Sequence, residues 1–323
     1  MGQSSKSVDE SFLTHEAAGR GISRGVIDGP RYQQASYGVH LPSGAEADMA
    51  ARAVQRVLPA AAVWSHHTAA ALRGWSLPSL PPGLPLFASL PGRGTHLYRR
   101  GVYVARTDEA VCEPEVRDGL RLAAAPAILA QLAQDLSLLD LIAVVDSALH
   151  CGDATIKEIE ESLRPYQRGG PMLRRALAYA DGRAESWWET VLRLLHVWSG
   201  IDVEPQYRVR DDWGDVIARG DLWIVGTRRL HEYDGAVHDE QAVRERDLGR
   251  DKALSRIDWG RYGYIAREIV GGPERIVRDG ETALGLPHRP ERLKKWRAEV
   301  ARSTLSTAGR HRLARRLDRF DRS

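Results

Sequence analysis

From Pro126 to Leu149 apolar residues fall at Ile128, Leu129, Leu132, Leu136, Leu139, Ile142, Ala143 and Val145. Spacings of three and four predict helix, split near Ser137. Asp221-Leu-Trp-Ile-Val225 and Leu230-His-Glu-Tyr-Asp-Gly235 read as two strands joined by the short turn Gly226-Thr-Arg228. Thr155-Ile-Lys-Glu158 and Ser186-Trp-Trp-Glu189 have the capping-box spacing of helix starts. Pro165 with Gly169-Gly170 stops the helix that Thr155 begins, and Met172 to Tyr179 continues as a helical connector. Nearer the N-terminus, Phe12 to Ile27 reads as a short helix, a turn at Gly19-Arg-Gly21 and a second helix capped by Ser23. Gly38 to Leu41 and Arg99 to Val104 read as strands, and Ser65 opens the helix His66-His-Thr-Ala-Ala-Ala-Leu72.

The two C-terminal strands carry the chemistry. Residues two apart on a strand point the same way, so Glu232 and Asp234 share a face, and the turn folds Asp221 back toward it. Carboxylates among apolar strand neighbours are costly unless neutralised, and hard oxygen donors suit Mg²⁺ or Mn²⁺. The alternative is a solvated hairpin face with scattered acids. Leu222, Trp223, Ile224 and Tyr233 argue against it, because they suggest strands packed on both sides.

Asp, about ten residues, then Glu-x-Asp-Gly and the nearby His238 resembles the PD-(D/E)xK nuclease superfamily, in the branch similar to the very-short-patch-repair (Vsr) endonucleases. Glu185-Ser-Trp-Trp-Glu-Thr-Val-Leu-Arg193 resembles that group's first core helix. Pro205-Gln206 with Tyr207-Arg-Val209 resembles its next strand, and Arg246 to Leu254 the helix packed behind the site. The likeness covers roughly residues 183 to 275. It implies a metal-dependent DNA endonuclease or nickase in which Asp221, Glu232 and Asp234 bind Mg²⁺ or Mn²⁺. In that reading Glu189 orients a metal-bound water and His238 is a general base or proton donor. Arg246 and Arg250, one helical turn apart, contact phosphate or form an ion-paired surface with Asp247 and Asp251. Two departures stand out. The usual Lys two residues after the Glu is Asp234 here, leaving the catalytic lysine absent or supplied from elsewhere, with Lys252 the candidate. Asp258-Trp-Gly-Arg-Tyr-Gly-Tyr-Ile265 keeps the family's Trp but changes its surroundings.

Helix, turn, helix, strand over residues 10 to 105, with Ser65-His-His-Thr-Ala-Ala-Ala-Leu72, resembles the winged helix of AbiEi-type antitoxins. That implies a second reading, a non-catalytic DNA-binding transcriptional regulator with a cognate toxin as a further partner. The expected architecture is mixed α/β. A winged-helix-like module (1–105) and a helical connector (106–182) precede a restriction-endonuclease-like α/β/α core (183–288) and a basic helical tail (289–323). Adjacent His66 and His67 point apart on a helix, so both read as ordinary packed or surface histidines rather than metal ligands.

Composition refines the partners. The chain of 323 residues is 43% hydrophobic and 28% charged, and carries a net charge of +3. From Arg289 onward twelve basic residues face four acidic ones, a net +8, which leaves −5 elsewhere. Lys294 and Lys295 head that tail, which reads either as a tracker of the DNA backbone or as a solvated, partly frayed helix. Cys112 and Cys151 have no metal or disulfide spacing and read as buried thiols of a reducing cytoplasm. No membrane-spanning run and no leader-like start is expected, so the predicted location is cytoplasmic.

Overall fold

The computed structural model describes residues 10–92, 97–107, 114–235 and 252–320. They form a mixed α/β structure with three sheets. The first is antiparallel, order β1-β3-β2, from β1 (Phe12–Leu13), β2 (Tyr32–Ser36) and β3 (Val39–Pro42). Helix α1 (Arg24–Ile27) follows Ser23 as expected. The preceding segment differs from its predicted helix: after β1 come two single 3-10 turns, Thr14–Glu16 and Ala18–Arg20. Pairing with β3 lets Phe12 bury completely, edge-on to Tyr32 at 5.0 Å, and this non-local contact outweighs the helical pattern.

The second sheet has the order β6-β5-β4-β8-β7, from β4 (Val63–Trp64), β5 (Leu86–Pro91), β6 (Val102–Thr107), β7 (Glu115–Arg117) and β8 (Leu120–Leu122). It therefore joins strands from either side of residue 105. Helices α2 (Ala47–Gln55) and α3 (His66–Leu72) cover it. The connector helices follow: α4 (Ala125–Leu132), α5 (Leu138–His150), α6 (Ile156–Ser162) and α7 (Gly170–Leu177). The split near Ser137 is real, since Ser137 Oγ accepts from the Asp140 N–H to start α5. Thr155 and Glu158 exchange the two bonds of a capping box at α6. Cys151 closes α5 as an exposed free thiol, which corrects the expectation of burial: the position follows the helix C-terminus, where chain and side chain turn outward. Cys112 lies outside the described residues.

Helix α8 (Trp187–Trp198) leads into the third sheet, order β12-β11-β10-β9. Strands β9 (Val203–Arg210), β10 (Val216–Ile224) and β11 (Arg229–Tyr233) are an antiparallel meander, and β12 (Gly260–Tyr264) lies parallel to β11. Helices α9 (Ala266–Gly271) and α10 (Pro273–Ala283) follow, then α11 (Lys294–Val300) and α12 (Thr307–Leu317).

Those last two helices are neither frayed nor solvated, contrary to one of the two expectations for the basic tail. Trp296, Leu313, Leu317 and Phe320 are buried in the main core. Thr304 bonds the Asp140 carboxylate through both its N–H and its hydroxyl, and Arg319 pairs with Asp135 at 2.8 Å. Basic residues occupy the outer face of an amphipathic pair whose apolar face the sequence pattern leaves less conspicuous. The connector is joined to α8 by a buried network: Asp146 accepts from Arg193 Nη2 at 2.7 Å, Thr190 Oγ1 at 2.9 Å and the Asp181 N–H at 2.8 Å. Among the described residues no helix is long and apolar enough to cross a membrane.

Candidate active site

Register in the third sheet brings the acidic residues together. On β10, Asp221 falls between the pairs Gly220–Tyr207 and Leu222–Pro205, and thus across from Gln206 on β9. On its other side Leu222 pairs with His231, which sets Asp221 across from Glu232 on β11. Glu232 in turn aligns with Gly263 of β12. The expected placement of Asp221 and Glu232 on adjacent strands of a mixed sheet is what the chain adopts. Asp234 lies one residue beyond β11, its N–H donating to Tyr264 O at 2.9 Å.

Each acid has a distinct environment. Asp221 Oδ2 accepts the Tyr233 N–H at 2.9 Å, so its side chain bridges to the neighbouring strand's backbone. Glu232 is buried, 5% exposed, and its Oε2 accepts from Arg261 Nη1 at 2.7 Å. A buried carboxylate needs such a counter-charge, and β12 delivers it because Arg261 lies two residues before Gly263 on the parallel strand. The Asp234 carboxylate lies over Gly263, where a Cβ would displace it, so glycine leaves room for that close approach. Glu189 Oε2 accepts from Gln206 Nε2 and from the Glu185 N–H, both at 2.8 Å. Its backbone N–H donates to the N-cap Ser186 Oγ at 3.2 Å. Gln206 adopts φ +55°, an uncommon conformation for a non-glycine residue, and lies directly across from Asp221. Glu189, Gln206, Asp221 and Glu232 thus form a polar line running from the start of α8 across the sheet.

Behind the line is a buried histidine pair. His196 Nδ1 bonds Leu192 O at 2.8 Å and its Nε2 meets His231 Nδ1 at 2.9 Å. Burial lowers the His196 pKa to about 4 and holds His231 well below its ordinary value, so both rings are neutral near pH 7. Trp188 stacks on Tyr233 at 5.6 Å, while Tyr207, Trp223 and Trp259 form a separate aromatic group. Sequence reading missed Arg261, Gln206 and the His196–His231 pair. Only the alternation within Gly260-Arg-Tyr-Gly-Tyr264 hinted at Arg261, and its partner depends on a parallel register with no local signal.

Several sequence-predicted residues fall elsewhere. His238, Arg246 and Arg250 lie outside the described residues. Lys252 is exposed at the start of a helical turn over residues 252–256. Lys294 is exposed, but Lys295 bonds Tyr179 Oη and sits 4.3 Å over that ring, which engages its ammonium within the protein. No group of three or more His, Cys, Asp or Glu among the described residues is arranged to hold a metal ion. The chemistry of the donor set nonetheless fits Mg²⁺, which commonly takes one or two carboxylates and keeps its waters. Asp221 and Glu232 are two hard oxygen donors of that kind, and Arg261 already pairs with Glu232.

Comparison with known proteins adds relatives without a function. The chain is 30% identical over 162 residues to the uncharacterized proteins MT2308 and Rv2248 of Mycobacterium tuberculosis, an alignment covering 49% of this chain. It spans 59% of the length of these curated relatives. No protein-family model and no solved structure matches it.

Proposed function

We propose that the chain is a metal-dependent DNA endonuclease or nickase of the Vsr-like PD-(D/E)xK type, with Asp221 and Glu232 as its reacting centre. The observation that carries this reading is the cross-strand placement of Asp221 beside Glu232, with Glu189 linked to the same line through Gln206. In this mechanism the Tyr233 N–H fixes the Asp221 carboxylate, and the rigid sheet holds Glu232 next to it. Asp221 and Glu232 would hold a divalent cation, which when bound would supply phosphate polarisation and a more acidic water. Glu189 would orient the attacking water, and His238 would serve as general base or proton donor near neutral pH.

A non-catalytic DNA-binding regulator of the AbiEi-antitoxin type is the second reading. The Glu232–Arg261 ion pair favours it, because the buried carboxylate already has a counter-charge without any metal. One experiment separates the two. Supercoiled plasmid incubated with purified protein should be nicked or linearised with Mg²⁺ or Mn²⁺, remain intact with EDTA, and remain intact with the Glu232→Ala protein. DNA binding without metal-dependent cleavage across varied substrates would support the regulator.

A further inference from the structure

An open cavity of ≈ 900 Å³ lies far along the chain from the acidic line, lined by residues of α3, α4, β6, α7 and the C-terminal turn Asp318–Phe320. We propose that it is a binding site for a nucleotide unit, recognised through its phosphate and its planar base. The site shares no residue with the acidic line and does not rest on the nuclease reading.

Charge is the first argument. Arg106, Arg168, Arg175 and Arg319 line the cavity, and no Asp or Glu is among its described lining residues. Arg319 is neutralised by Asp135 just behind the wall. Arg168 and Arg175 are exposed and have no acidic partner among the described residues. Two guanidiniums with no acidic partner among the described residues, facing one concavity, repel each other, and the arrangement favours an anion with the fork geometry of phosphate.

Shape and chemistry of the wall supply the second argument. Tyr103, partly exposed, meets the buried Phe320 edge to face at 4.4 Å there and offers aromatic surface to the cavity, while Arg319 lies over the Phe320 ring. His66 lines the same wall with φ +49°, a strained backbone for a residue that is not glycine. Its N–H donates to Gln131 Oε1 at 3.0 Å and its Nδ1 meets Ser65 Oγ at 3.0 Å, so the strained residue is held by two polar contacts. Aromatic surface beside arginines takes a base and its phosphate together. The space continues into a second cavity of ≈ 760 Å³ that shares Gln131, Gln134 and Arg168, leaving room for a neighbouring nucleotide. A free nucleotide and a single-stranded segment offer this same chemistry.

Calorimetric titration of the full-length protein tests the site with three probes: inorganic phosphate, adenosine 5′-monophosphate and a single-stranded hexanucleotide. Arg168→Gln and Arg175→Gln change exposed side chains, and unchanged melting temperatures will show that both variants fold. Each should weaken binding about ten-fold, the loss of one charge-assisted phosphate contact. Binding of the monophosphate with that loss assigns a free nucleotide; binding of the hexanucleotide alone with that loss assigns a strand. Saturable binding of none of the three, of inorganic phosphate alone, or affinity unchanged in the double variant would overturn the proposal.

Discussion

Replacing His196 and His231 together by Leu and Phe should make the protein markedly less sensitive to mild acid. Both imidazoles are buried and neutral, with the His196 pKa lowered to about 4 and that of His231 held well below its ordinary value. In the unfolded chain each returns to about 6.5. Between those values the unfolded state binds protons that the folded state refuses, so stability falls as pH drops from about 6.5 toward 4. From pH 7 to pH 5 each ring costs about 2 kcal/mol, and the pair about 4 kcal/mol, a large part of a domain's stability. Asp140 works in the opposite direction. Burial raises its pKa to about 6, so protonating it as pH falls through 6 offsets a smaller part of the loss. Urea unfolding at pH 7 and pH 5 measures the difference. The wild type should lose about 4 kcal/mol more than the double variant over that interval. Removing both rings avoids leaving one imidazole nitrogen stranded without its partner. Equal losses in the two proteins would refute the argument, because the pair would then titrate as it does in the unfolded chain.

Glu232→Ala should abolish nicking while DNA affinity holds or rises, since removing a carboxylate near a phosphate relieves repulsion; plasmid cleavage and a gel-shift titration read the two effects. Asp146→Ala should destabilise by about 3–5 kcal/mol, because Arg193 is left buried without its counter-charge, and a drop in the urea midpoint of under a quarter of that size would argue against the network. Trp296→Ala should cost about 3–5 kcal/mol, as the ring is 1% exposed in the core; a frayed tail would show almost no change in melting temperature. At Gly309 a Cβ would collide with the Ser303 carbonyl, so Gly309→Ala should cost about 1–3 kcal/mol by the same melting assay.

What was legible in the sequence follows from local physics. Helical spacing located α4 and α5 and their break at Ser137, and capping spacing located α6 and α8, because these signals depend on residues within one or two turns. Two strand-like runs and the short turn between them placed Asp221 and Glu232 on neighbouring strands, since a short turn leaves little choice of partner. Phe12 was misread as helical because its strand pairs with β3, more than two dozen residues away, and no local pattern encodes that contact. The tail was equally opaque. Its twelve basic residues advertise solvent, while Trp296, Leu313 and Phe320 find their burial against helices and strands far earlier in the chain, Phe320 against Phe87 and Tyr103. Composition and periodicity determined which segments are helices and strands and where the acids sit. Only the tertiary structure decided that Arg261 neutralises Glu232, that His196 meets His231, and that four arginines from separate elements surround one cavity. Those pairings join residues 29, 35 and more positions apart, and such contacts form only when packing brings distant elements together.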